Sequence, residues 1–208
     1  MTRLSLPVYL TGYPIRRYSS GRGVQRGVSL IVVLLILVAV TLLGVGAVQI
    51  SIMGERGARN DRDIQVAWQS AEAALIDAEA EMIDPASTRR NLFDGKAQTG
   101  FTAGCGTGAT AMGLCEAVAT GTKPAWLLVD FTSTNSSATT VALGQFTGRS
   151  YQAAGLGIQP AQMPRYVIEL IPDPLGDASD PSYVYRVTGM GFGPRPQIQA
   201  VIQMVYRI

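Results

Sequence analysis

The sequence predicts an α+β protein in which a long N-terminal helix, apolar in its first half and amphipathic in its second, packs on a small head with an antiparallel β-sheet. Three observations predict it. Residues 28–53 carry no ionisable side chain. Apolar side chains at alternating spacings of four and three carry a helix onward to a proline at position 85. Near the C-terminus the pattern changes to alternation of apolar with mostly polar residues, the period of a half-buried strand.

The first element is the apolar run that follows Gln25-Arg26-Gly27. A helix of about 20 apolar residues matches the roughly 30 Å hydrocarbon layer of a bilayer. Residues 28–53 are long enough for that, with Leu30, Ile31, Val32, Leu34, Leu35, Leu37, Leu42 and Leu43 supplying its bulk. Before Gly27 the only ionisable side chains are Arg3, Arg16, Arg17, Arg22 and Arg26. Positive-inside bias therefore holds this end in the cytoplasm and sends the remainder outward, an N-in, C-out topology with the lipid bilayer as a partner. A secretory signal would have a shorter apolar core followed by a small-residue cleavage site. None occurs before Glu55-Arg56, so the segment reads as a retained anchor.

Charge separates the leader from the rest. The chain has 17 basic and 15 acidic residues, no histidine and a formal balance of +2. Residues 1–27 hold five of the arginines and no acid, so without them 12 basic face 15 acidic residues and the balance is −3. The basic character belongs to the leader, and no nucleic-acid patch is read into it. The usual catalytic triads need a histidine, and the only lysines, Lys96 and Lys123, lie in loop-like sequence. The expectation is a chain without enzyme activity or cofactor.

The second element continues the first. Ile64, Trp68, Ala71, Leu75, Ala78 and Met82 fall along one helical stripe and are expected to pack on the head. Between them lie Asp61, Arg62, Asp63, Gln65, Gln69, Ser70, Glu72, Asp77, Glu79 and Glu81, read as the solvated face. Pro85 cannot continue the ladder and pushes its predecessor out of the helical region, which predicts a stop near Asp84. Residues 28–84 then form one rod, about 85 Å long at 1.5 Å per residue. Gly44, Gly46, Gly54 and Gly57 each weaken helix by about 1 kcal/mol relative to alanine, so bending or local melting is expected there.

Beyond Pro85 the composition turns to glycine, threonine, serine and alanine, and residues 85–208 are enough for one compact core but not two. Ile198, Ala200, Ile202, Met204 and Tyr206 lie on one side, with Gln197, Gln199, Gln203 and Arg207 mostly on the other, and predict a half-buried strand. Residues 166–171 and 183–190 predict two more, bounded by prolines and by the glycines from Gly189 to Gly193. Three closely connected strands favour an antiparallel sheet able to bury one face against the amphipathic helix. The stretch 131–147 is compatible with a strand or a surface loop. Cys105 and Cys115 are the two cysteines of the chain, an exported pair in a glycine-rich loop, and predict a disulfide. Asp173, Asp177 and Asp180 are a weak calcium candidate, and ordinary turn chemistry is the preferred account of them. No other metal site is expected.

The junction of Arg26 and Gly27 with an apolar run resembles the cleavage site of type IV prepilins and pseudopilins. The resemblance implies a dedicated prepilin peptidase cutting after Gly27, with Val28 as the new and methylated N-terminus. The helix stretch Asp61-Arg62-Asp63-Ile64-Gln65-Val66-Ala67-Trp68-Gln69-Ser70-Ala71-Glu72-Ala73-Ala74-Leu75 resembles the PilX family of type IV pilus minor pilins. So do Gly113-Leu114-Cys115, Pro164-Arg165-Tyr166-Val167-Ile168-Glu169 and Tyr185-Arg186-Val187-Thr188-Gly189-Met190-Gly191-Phe192-Gly193. In that light the chain divides into a leader (1–27), a membrane or filament-core half-helix (28–53), an amphipathic half-helix (54–84) and a periplasmic or extracellular head (85–208), a pilin-like fold.

What this implies is a helper subunit of pilus biogenesis, in the bacterial inner membrane before assembly and in the pilus at the cell surface after it. Its partners would be other minor pilins, the major pilin, prepilin peptidase and the inner-membrane assembly platform, with twitching motility and cell adhesion as the processes served. One departure stands out. Most pilins have a glutamate as the fifth residue of the mature chain, where this chain has Val32. An unpaired buried charge costs several kcal/mol, so a subunit lacking that carboxylate suits a filament end or priming complex better than the shaft, unless the glutamate is simply dispensable in a minor component. A minor pseudopilin of a type II secretion system shares every feature above. A signal-anchored periplasmic binding protein that never polymerises is a third reading.

Overall fold

The computed structural model describes residue 12 and residues 28–118, 121–151, 157–177 and 179–208. The chain divides into two units, Met1–Ser51 and Ile52–Ile208. Helix α1 (Val28–Ile83) contributes to both. In the first unit its large apolar side chains are exposed, Leu30 at 73% and Leu43 at 74%, and nothing from the described residues covers them. A helix satisfies its own backbone donors and acceptors, which is what allows such a surface to sit in lipid. The helix runs unbroken through Gly44, Gly46, Gly54 and Gly57, so the melting expected there is absent. No proline interrupts the i to i−4 ladder in 28–83, and isolated glycines lower helix stability without removing a hydrogen bond.

In the second unit α1 ends where proline requires it. The Asp84 amide still donates to the Ala80 carbonyl at 2.8 Å, and the Asp84 carboxylate then accepts the Ala86 amide at 2.8 Å. A short 3-10 turn (Arg90–Leu92) and a single helical turn, α2 (Gly108–Ala111), lead to β1 (Leu114–Cys115). A second 3-10 turn (Ala125–Leu127) and β2 (Val141–Ala142) precede the three long strands β3 (Arg165–Pro172), β4 (Tyr183–Phe192) and β5 (Gln199–Tyr206).

The five strands form one sheet in the order β1-β3-β4-β5, with β2 also on β3. β3, β4 and β5 are consecutive antiparallel neighbours. The three strands expected from the sequence pair antiparallel, and the short β1, not expected, runs parallel to β3 with Leu114 opposite Ile168, so the whole sheet is mixed. A two-residue strand arriving from a distant loop needs no hairpin and is free to pair in either sense. Of the stretch 131–147, only Val141 and Ala142 join the sheet.

Strand β4 passes through Gly189 and Gly191 to Phe192 instead of stopping at the glycine run. A Cβ built on Gly191 would lie 2.1 Å from the Ala71 amide nitrogen and 2.2 Å from the Ala67 carbonyl oxygen. Those glycines are places where helix backbone meets strand backbone, not turn residues. The main core lies between α1 and this face of the sheet, with Ala74, Ala78 and Met82 against Tyr166, Ile168, Leu170, Tyr185 and Val187. Behind the sheet, Cys105, Cys115, Ala125 and Phe131 cover Val167.

Candidate assembly site

Burial along the second half of α1 decides which residues hold the head and which are left for partners. Of the six residues expected on the packed face, Ala71, Ala78 and Met82 are buried and Leu75 is half-buried. Ile64 and Trp68 are 39% and 48% exposed, a correction to the expected stripe. The buried face is instead Asp63, Ala67, Ser70, Ala71, Ala74, Asp77, Ala78, Glu81 and Met82, rotated around the helix toward its small residues. The cause is the close approach at Gly191. Where helix and strand backbones meet, alanine and serine fit and an indole does not. Asp63, Ser70, Asp77 and Glu81, read from the sequence as solvated, are therefore inside.

Two of these acids tie loops to the helix. Asp77 Oδ2 accepts the Gly144 amide at 2.7 Å and Oδ1 accepts the Thr147 hydroxyl, which fastens the segment after β2. Glu81 is fully buried and meets Arg89, which is 3% exposed. Arg89 Nε donates to Glu81 Oε1 at 2.6 Å, and Nη2 lies in ion-pair contact with the same oxygen. The Tyr166 hydroxyl donates to Glu81 Oε2. Arg89 Nη1 donates to the Met112 carbonyl at 2.6 Å, inside the loop closed by the Cys105–Cys115 disulfide. The guanidinium carbon also sits 3.5 Å from the centre of the Phe146 ring, a cation–π contact. Arg89 thus joins the helix, the disulfide loop and the loop after β2, and Glu81 adds strand β3 through Tyr166.

Burial sets the electrostatics of this cluster. Loss of hydration raises the Glu81 carboxyl above its usual range, although Arg89 and the Tyr166 hydrogen bond pull it down. Burial likewise lowers the Arg89 guanidinium, with Glu81 opposing. The Tyr166 phenol is raised well above its ordinary value by burial and by the neighbouring carboxylate. The cluster is a set of mutually dependent hydrogen bonds without access to solvent, and it works as a fastening. Nothing in the sequence around Arg89 marks it as buried. A signal for Glu81 existed, because residues 67, 70, 74, 77 and 81 keep helical spacing and share a face with the alanines.

The acidic triplet does not converge. Asp173 accepts from the Leu175 amide at 2.9 Å and pairs with Arg207 at 2.5 Å. Asp177 accepts from the Ser179 amide at 2.9 Å, and Asp180 pairs with Lys96. Among the described residues no three histidine, cysteine, aspartate or glutamate side chains are grouped to hold a metal ion, which overturns the calcium candidate. Short turns explain Asp173 and Asp177, whose carboxylates each cap an amide two residues ahead, while Asp180 is held by Lys96. Gly27 lies outside the described residues, while Val28 opens α1. The apolar residues Leu30, Ile31, Val32, Leu34, Leu35, Leu37, Leu42 and Leu43 are all exposed along α1.

An N-terminal helix whose first part is long and apolar enough to cross a membrane, continuing into an α+β head with a disulfide-closed loop, is the architecture of the pilin-like class. Residues 26–75 match the family described as PilX N-terminal, and residues 111–208 match that described as Type IV pilus assembly protein PilX C-term. The chain belongs to the PilX family of type IV pilus assembly proteins. It is a membrane-anchored, structural pilus component of the minor pilin kind, which interacts with other components of the pilus. No curated protein and no solved structure matches the chain.

Proposed function

We propose that the chain is a minor pilin that takes part in priming, capping or stabilising a type IV pilus after prepilin peptidase removes residues 1–27. The observation that carries this reading is the unpaired apolar surface of α1 from Val28 onward, in a chain of the PilX family. Burial of apolar surface is worth roughly 25 cal/mol per Å², so that helix must always lie in lipid or against other helices. The membrane holds it before assembly, in the inner membrane with the N-terminus in the cytoplasm, a topology supported by the five arginines of residues 1–27. Assembly exchanges lipid for equivalent helices of the major pilin and other minor pilins at the inner-membrane platform. Val28 is the new amine and the methylated residue.

Val32 supports a place at the filament end or in the priming complex. It presents no carboxylate to a neighbour's α-amine, so it tolerates a position where that partner is missing. The fastened head, with both loops tied to α1 by Asp77, Glu81 and Arg89, would meet neighbours as a preformed surface.

N-terminal sequencing of the membrane-extracted protein, from strains with and without prepilin peptidase, tests the processing step. The expected result is a chain starting at Val28 only when the peptidase is present. Piliation of a strain lacking the whole chain tests the assembly role, and unchanged pilus number and twitching would remove it.

A further inference from the structure

The two edges of the sheet are built differently. On one, β1 and β2, two residues each, pair with β3 at Arg165, Tyr166, Ile168 and Glu169, and very short edge strands are a common protection against unwanted pairing. On the other, β5 runs eight residues in unbroken register with β4, and no strand pairs with its outer side among the described residues. The strand itself carries none of the usual sequence protections. Gln199–Tyr206 contains no charge and no proline, and the register shows no bulge.

The core is also unfinished at this edge. Tyr185 and Val187 of β4 are fully buried, but Ile202, Met204 and Tyr206 of β5 on the same side are only half-buried. Outward, Val201 and Val205 are 40% and 63% exposed. Just beyond β5, Ile208 lines a mixed cleft of about 360 Å³ with the apolar Met82, Ile83 and Phe93 and the polar Arg90, Asn91 and Asp94. Arg195 and Arg207 bracket the strand, each about half exposed or more beside its own ion pair.

We propose that the outer edge of β5 receives an extended segment of another pilus subunit, which adds a sixth strand to this sheet. The backbone of β5 supplies the hydrogen bonds, as in other cases of strand addition, and the side chains set the choice of partner. The incoming segment has apolar residues at alternate positions, to finish covering Ile202, Met204 and Tyr206. It is uncharged along the roughly 27 Å that eight residues span and acidic at its flanks, opposite the two arginines. This proposal rests on the pilus-assembly reading.

The test uses the full-length chain in the bacterium that makes it. Gln199, Val201, Gln203 and Val205 are replaced one at a time by the photo-cross-linking residue p-benzoylphenylalanine, and adducts are mapped by mass spectrometry. The expected result is adducts with one other pilus subunit, the linked position moving by two residues for each two-residue step along β5. Val205→Lys is expected to lose the adduct formed from position 203, whereas Val205→Thr keeps it at equal protein level by immunoblot. Adducts with lipid alone, with a second copy of this chain or with scattered positions would overturn the proposal, as would their absence or their survival in V205K. A strain lacking the chain separates the two ideas. Normal piliation there removes the assembly reading itself, while lost piliation together with an unregistered adduct pattern removes only the added strand.

Discussion

Arg89 is the residue on which the head's attachments converge, and its removal is the most informative single change. Breaking a buried pair from one side leaves an uncompensated charge and costs about 3–5 kcal/mol. Arg89→Met is therefore expected to lower the melting temperature of the detergent-solubilised chain sharply at neutral pH. The pH dependence has a definite sign. The folded-state value of Glu81 is raised above its unfolded one, so its contribution is fully present below the ordinary carboxylate range and is lost as pH rises through the folded value. Arg89→Met removes the leading influence that lowers that value, so the variant should recover stability on acidification, where Glu81 is neutral, and lose it as pH rises. Equal melting deficits at pH 5 and pH 8 would show that Glu81 is not the group left stranded. The wild-type cluster was only partly legible in the sequence. Glu81 shares helical spacing with Asp77 and the alanines, but nothing local marks Arg89, whose partners Thr110, Met112 and Phe146 come from distant segments.

At the scale of elements, the closest fit is between α1 and β4. Gly191→Ala places a methyl at 2.1 Å from helix backbone, which a side-chain shift cannot relieve, whereas at Gly189 the nearest atom is 3.1 Å away. Overpacking of this kind costs about 1–3 kcal/mol, and G191A should fall at or above the top of that range while G189A stays near the bottom. Chemical denaturation of both variants checks this, and equal losses would mean that the helix can lift off the strand freely. The disulfide closes a ten-residue separation between Cys105 and Cys115, and closing so short a loop stabilises by about 2 to 3 kcal/mol. Cys105→Ser with Cys115→Ser should lose about that much, with a matching drop in the denaturation midpoint, while β3, β4 and β5 keep their circular dichroism signal. The three long strands were readable because alternation of period two survives wherever one face is buried. β1 and β2 were not, since two residues carry no period. The packed face of α1 was misjudged at Ile64 and Trp68 for a related reason, because large apolar side chains set the expected stripe while the glycines of β4 select small ones.

For the whole molecule, the decisive property is that residues 28–53 have no ionisable group and expose their large apolar side chains, with no cover among the described residues. A charge placed there should prevent stable residence in lipid and in any helical bundle. Leu35→Lys puts an ammonium near the middle of the segment at a cost of about 2.5–3.5 kcal/mol by insertion scales. The expected outcome is loss of the chain from the membrane fraction or of its support for piliation, and full piliation with L35K would contradict the account. Hydrophobic periodicity, the proline at position 85 and the cysteine pair by themselves determined the long helix, its end, the three principal strands and the bridged loop, since each depends on local chemistry that neighbours in sequence already display. Which helix face meets the sheet, the parallel pairing of β1, the burial of Asp77 and Glu81 and the open edge at β5 were decided only in the tertiary structure. Each of those is set by how closely two backbones approach or by a partner many residues away, and neither quantity is written in the pattern of a single segment.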